Sequence, residues 1–208
     1  MQQQKQRENK PAFGKLEQSS PLKTMLLMTM AGSTILFIAV SMLYVVTIIK
    51  NDAIGAFRMP VAFAFSTVFL LLSSFSLSSS KRNFKNDNIK GLRTGLQLTM
   101  LLGVVFAICQ VLGWYQMIKA GMFLQTTPGV AYLYVISGLH FVHVLGGMAY
   151  LLTIMYSLSG LKSDFAGSLM YLSEKENLTK LDLVTTYWHF VDGLWVALYF
   201  MFLFTFQF

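Results

Sequence analysis

The sequence predicts an all-α membrane protein of five transmembrane helices, with the N-terminus cytoplasmic and the C-terminus outside. Three observations carry that prediction. The 208 residues are 55% hydrophobic and only 12% charged, whereas about a quarter of residues are charged in an ordinary soluble domain. Five apolar stretches each reach the ~20 residues that a helix needs to cross a bilayer. Lysine and arginine, finally, are distributed unevenly between the connections on the two sides.

In chain order, residues 1–23 are a polar tail of mixed charge. They contain neither a short apolar segment behind basic residues nor a small-residue cleavage site, so the tail is expected to be disordered and the first span to direct its own insertion. The spans follow at 24–49, 60–80, 95–118, 129–158 and 183–206. Helices are the physical reading, because lipid cannot satisfy backbone polar groups and each stretch far exceeds the ~10 residues of a barrel strand. Pro60 opens the second span, where a missing amide donor costs least. With short connections and no internal repeat, residues 24–208 are expected to form one domain, a five-helix transmembrane bundle behind the tail.

The basic residues set the orientation. Lys5, Arg7, Lys10, Lys15 and Lys23 lie in the tail, Lys81, Arg82, Lys85, Lys90 and Arg93 in the second connection, and Lys162, Lys175 and Lys180 in the fourth. Only Lys50, Arg58 and Lys119 fall on the other side, which makes the tail side cytoplasmic. The net charge of +7 follows from this asymmetry and suits anionic lipid head groups. It does not describe a nucleic-acid surface, since the charges are scattered over three connections with no accompanying motif. The single Cys109 forms no intrachain disulfide and leaves the redox compartment open.

The chain's rarest chemistry sits in the last two spans. His140 and His143 on the fourth, and His189 on the fifth, are its only histidines, and Asp192 is its only acid well inside a span. His140 and His143 share a helix face by their spacing of three, and Ser137, Gly138, Gly146 and Gly147 permit close approach of a neighbouring helix. On the fifth span Thr185, His189, Asp192, Val196 and Tyr199 fall along one stripe, flanked by Trp188 and Trp195, which is expected to face protein. At ~1.5 Å per residue, His143 falls near mid-membrane with Asp192 within about 5 Å of that level, so the two faces are able to meet. Pairing with histidine, or protonation, lets Asp192 stay there at tolerable cost.

Spacing alone leaves three readings of His140, His143, His189 and Asp192. They suit a haem or non-haem iron site, although no haem-attachment motif and no second carboxylate accompany them. They suit a proton or ion path. They also suit hydrogen bonding between helices or subunits. Elsewhere, Gln110 is expected to make an interhelical hydrogen bond, and Trp114 and Tyr115 to anchor their helix at the outer interface. The 13 methionines are adaptable packing, and the phenylalanines of 200–208 read as lipid-facing or subunit-facing surface.

Tyr187-Trp188-His189-Phe190-Val191-Asp192 followed by Trp195 resembles the signature in the last helix of subunit III of haem–copper terminal oxidases, the cytochrome c and quinol oxidases. Gly138-Leu139-His140-Phe141-Val142-His143-Val144-Leu145-Gly146-Gly147 resembles the motif of the helix before it. Weaker likenesses lie at Leu71-Leu72-Ser73-Ser74, at Gly103-Val104-Val105-Phe106 with Gln110 and Trp114, and at Gly32-Ser33. The chain is similar to the shorter, five-helix form, without the two additional N-terminal helices of many members.

The resemblance implies a non-catalytic subunit of a proton-pumping respiratory oxidase that reduces oxygen to water. This chain would hold no redox centre and no metal, with haem and copper in partner subunits. Subunits I and II and membrane phospholipid are the implied partners, a respiratory supercomplex is a wider candidate, and the implied location is a bacterial-type cytoplasmic membrane. His140, His143, His189 and Asp192 become a structural or protonic polar cluster, with Tyr187, Trp188 and Trp195 as the motif aromatics. Alignment on Gly32-Ser33 places Thr34 where many members carry a membrane glutamate, and a hydroxyl does not titrate near neutral pH. Two other classes compete with this reading: a small transporter that conducts along the His/Asp cluster, and a membrane cytochrome.

Overall fold

A computed structural model describes residues 21–51, 59–160, 171–172 and 174–207. They form five helices: α1 Pro21–Asn51, α2 Val61–Lys85, α3 Ile89–Lys119, α4 Pro128–Ser159 and α5 Lys175–Gln207. No strand occurs among the described residues, and each helix contains a span long and apolar enough to cross a membrane. The all-α, five-span prediction therefore holds. Residues 1–20 of the expected disordered tail lie outside the described residues, and 21–23 open α1.

The helices outrun the apolar spans because their ends are polar segments with local partners of their own. α3 begins at Ile89, before the apolar run at 95, where the Asn88 side chain accepts a hydrogen bond from the Gly91 amide at 2.9 Å. Asp87, at φ 54°, turns the chain back between α2 and α3, a left-handed conformation that aspartate tolerates. α4 opens with Pro128 at its first position behind Thr127, whose hydroxyl accepts from the Val130 amide at 3.3 Å. α5 begins at Lys175 rather than 183, and Glu176 and Lys180 pair at 2.8 Å across one turn of this polar extension. Pro60 precedes the first helical residue of α2, and its carbonyl accepts from the Phe63 amide at 3.1 Å.

The chain divides into two compact units, Met1–Leu36 and Phe37–Phe208. In the first, the Thr29 and Thr34 hydroxyls bond back to the carbonyls of Met25 and Met30 at 2.9 and 2.8 Å. In the second, α2 packs on α3 and α5, and α4 packs on the same two helices, so the four close into a ring. The α2–α3 contact is the most extensive, and small residues allow it. Ser76 donates to the Gly95 carbonyl at 3.0 Å, and a Cβ at Gly113 would collide with the Phe63 ring. Residues of α1 from Phe37 onward join this unit, where Tyr44 and Thr205 hydrogen-bond at 2.7 Å and Tyr44 meets the Phe202 ring edge-on at 5.6 Å.

That contact corrects the reading of 200–208 as surface. Phe200 and Phe204 are exposed, but Phe202 is fully buried, because a helix turns alternate side chains of an all-apolar run toward protein and lipid.

Candidate functional site

The ring interior is organised by the motif residues of α5. Trp188 and Trp195, seven residues apart, lie on one face and are both buried. Gly147 and Gly103 admit Trp188: a Cβ at Gly147 would stand 3.3 Å from its ring, and one at Gly103 3.4 Å. Trp195 is enclosed by three rings, stacked with His140 at 4.8 Å and edge-on to Phe106 and Phe63 at 5.5 and 5.9 Å.

All three tryptophans of the sequence use the same hydrogen-bonding device. Trp188 Nε1 donates to Ser73 Oγ, Trp195 Nε1 to Thr67 Oγ1, and Trp114 Nε1 to Ser137 Oγ, each at 3.0 Å. Each accepting hydroxyl spends its own proton within its helix, Ser73 on the Leu70 carbonyl, Thr67 on Phe63 and Ser137 on Leu133. Its lone pair then faces a neighbouring helix as an acceptor, which satisfies an indole that lipid could not. Tyr187 adds a fourth tie, donating to the His143 carbonyl at 3.0 Å. Ser73→Ala is expected to leave the buried Trp188 N–H unpartnered and to destabilise the chain by about 1–3 kcal/mol. The midpoint of thermal unfolding in detergent measures this, and an unchanged midpoint would remove the indole–hydroxyl tie from the account.

The four polar residues picked out from the sequence lie in three surroundings. His140 is fully buried among aromatic carbons, with Trp195 on one side and Phe106 at 5.8 Å on another. His143 donates from Nδ1 to its own-helix carbonyl at Leu139, 2.8 Å away, and its ring meets Phe37 at 5.4 Å. His189 is exposed on this chain and bonds to α2, with Nδ1 2.6 Å from Ser74 Oγ and Nε2 3.1 Å from Ser78 Oγ. Asp192 is buried beside the same Ser74 hydroxyl, and neither of its carboxylate oxygens is held in a hydrogen bond of good geometry among the described residues.

His189 bonds to Ser74 and Ser78 of α2, with Asp192 buried beside the same Ser74, while His140 lies against Trp195 and Phe106 and His143 against Phe37. Three residues of helix leave two side chains about 60° apart. That angle turns His140 into the ring interior and His143 toward Phe37.

Other expectations resolve in the same way. Gly147 provides the close α4–α5 approach, while a Cβ at Gly138 would meet nothing within 4 Å. Gln110 is fully buried with neither amide atom partnered among the described residues, so the interhelical hydrogen bond expected of it is absent. Trp114 binds inward to Ser137 and lies edge-on to Phe141 at 5.3 Å rather than acting only as an interfacial anchor. The use of the α2 hydroxyls toward both α3 and α5 was missed, although the serines at 66, 73, 74, 76, 78 and 80 were its visible signal.

Among the described residues no group of three or more His, Cys, Asp or Glu side chains is arranged to hold a metal ion. What the geometry supplies is cohesion: α5 is fastened to α2 and α4 by groups that would be costly if left facing lipid.

The family model for cytochrome c oxidase subunit III matches residues 51–206. Among similar proteins, cytochrome c oxidase subunit 3 of Corynebacterium diphtheriae is 28% identical over 150 residues, covering 70% of this chain and 66% of that protein. The same subunit of Bacillus sp. strain PS3 is 27% identical over 174 residues, covering 82% and 79%. Quinol oxidase subunit 3 of Bacillus spizizenii is 25% identical over 138 residues, covering 64% and 60%. The chain thus spans about two thirds of the length of relatives such as the first.

Proposed function

Because the chain belongs to the cytochrome c oxidase subunit III family, we propose that it serves as the non-catalytic third subunit of a proton-pumping haem–copper respiratory oxidase. In this reading it stabilises subunit I, supports proton uptake there and binds phospholipid, while haem and copper reside in subunits I and II. Thirteen of its 16 basic residues fall on the side of its N-terminus, which supports a cytoplasmic N-terminus in a bacterial-type membrane.

The observation that carries the proposal is the use to which the signature residues are put. Tyr187, Trp188, His189 and Trp195 all direct their polar atoms at neighbouring helices of the same chain, or at hydroxyls those helices offer. Residues spent on holding helices together fit a subunit whose redox chemistry takes place elsewhere. The transporter alternative needs one connected path through His140, His143, His189 and Asp192, and the imidazole of His140, set against Trp195 and Phe106 with neither nitrogen hydrogen-bonded among the described residues, speaks against it.

Asp192→Leu and His189→Leu test this role. Both are expected to loosen the association of the chain with its complex, or to shorten the enzyme's life during turnover, with the haem content of the assembled complex unchanged. Loss of one haem equivalent per assembled complex would contradict the proposal.

A further inference from the structure

The surface of α5 carries one polar exception. Asp182, Thr186, His189 and Gly193 follow one another at spacings of four, three and four, and so lie within about 60° on one face. Thr186, His189 and Gly193 are exposed. On α2 the row of Ser74, Ser78 and Lys81 runs alongside, tied to the first by the His189 bonds to both serines and by a 3.0 Å ion pair between Lys81 and Asp182. Other exposed side chains of these helices include the large apolar Phe65, Leu72 and Phe75 on α2 and Phe200 and Phe204 on α5.

Depth makes the exception costly in lipid. His189 lies six positions inside the apolar stretch 183–206 and Ser74 six positions inside the end of 60–80, each about 9 Å from the nearer end of its stretch. Imidazole and hydroxyl groups at that level face protein or enclosed water rather than acyl chains. Gly193 adds a shape cue, since a Cβ there would meet nothing within 4 Å. The chain has no internal need for a glycine at that point, whereas a second helix crossing closely would.

We propose that the stripe running from Asp182 to Gly193 on α5, and from Ser74 to Lys81 on α2, is a docking face. Its occupant is a transmembrane helix of another oxidase subunit that presents small and hydrogen-bonding side chains. The inference rests on the subunit III reading above and specifies which surface of this chain meets the rest of the enzyme. Hydrogen-bonding side chains on the occupant extend the hydroxyl and imidazole network in a medium that offers no other partners. A small residue opposite Gly193 brings the two backbones into contact.

Photo-crosslinking in the whole complex tests the assignment. The crosslinking residue benzoylphenylalanine is placed at position 186, and the complex is irradiated in its native membrane before purification through this chain. A covalent product between position 186 and another oxidase subunit is the expected result. Copurification of oxidase subunits with adducts to lipid alone, or to a second copy of this chain, overturns the docking face and leaves the subunit III reading standing. Absence of any oxidase subunit from the preparation overturns both. Gly193→Leu provides an independent reading, because this chain has room for the side chain and a docked helix does not. It is expected to lose the partner subunits on solubilisation while the chain persists in the membrane at its normal level, and retention of those subunits at the unmutated level would overturn the proposal.

Discussion

Trp195→Ala is expected to destabilise the chain by about 3–5 kcal/mol, enough to empty the complex of this subunit. The side chain is fully buried and is the common neighbour of Phe63, Phe106 and His140. In a membrane the unfolded reference is already surrounded by apolar tails, so little of this loss is a transfer effect. It comes from the cavity, whose lining side chains forfeit dispersion contacts on one side. The indole bond to Thr67 is lost at the same time. Trp195→Phe keeps much of the volume and removes the donor, and should cost distinctly less than the alanine variant. Thermal unfolding of the detergent-solubilised protein separates the two, and equal losses would mean that the hydrogen bond, not the packing, dominates.

Gly113→Leu attacks the same interior from α3. A Cβ at this position would already collide with the ring of Phe63, and that ring is fully buried and holds the edge of Trp195, so it has nowhere to retreat. The extra methylenes must push α2 away from α3, at an expected cost of about 3 kcal/mol. Gly138→Leu is the matched comparison, because a Cβ there meets nothing within 4 Å, and it should be nearly neutral within this chain. Equal subunit retention by the two variants would contradict the packing of the ring.

Much of this arrangement can be read from residue order. The five spans are set by apolar length, and the signature around Tyr187 and Asp192 marks the family by itself. The ends of the helices are less legible: α3 and α5 begin in polar sequence, where an Asn88 cap and a Glu176–Lys180 pair hold turns that hydropathy does not register. The grouping of the four polar residues was legible only in part. Spacing of three put His140 and His143 on one face, yet helices pack so closely that about 60° of rotation suffices to give the two rings different neighbours. The α2 surroundings of His189 and Asp192 were not legible at all, because nothing in the order of residues states that α2 is the helix beside α5. The serines of α2 have an obvious use only once that neighbour is known.

The most direct measurement of the central claim is the composition of what copurifies with this chain when it is drawn gently from its own membrane. The result expected is a stoichiometric complex with a subunit I that carries haem and copper and a subunit II, in which the haem stays with the partners when this chain is stripped away. A cofactor-free, freestanding oligomer that transports protons or ions after reconstitution, or a haem band that follows this chain alone, would contradict it.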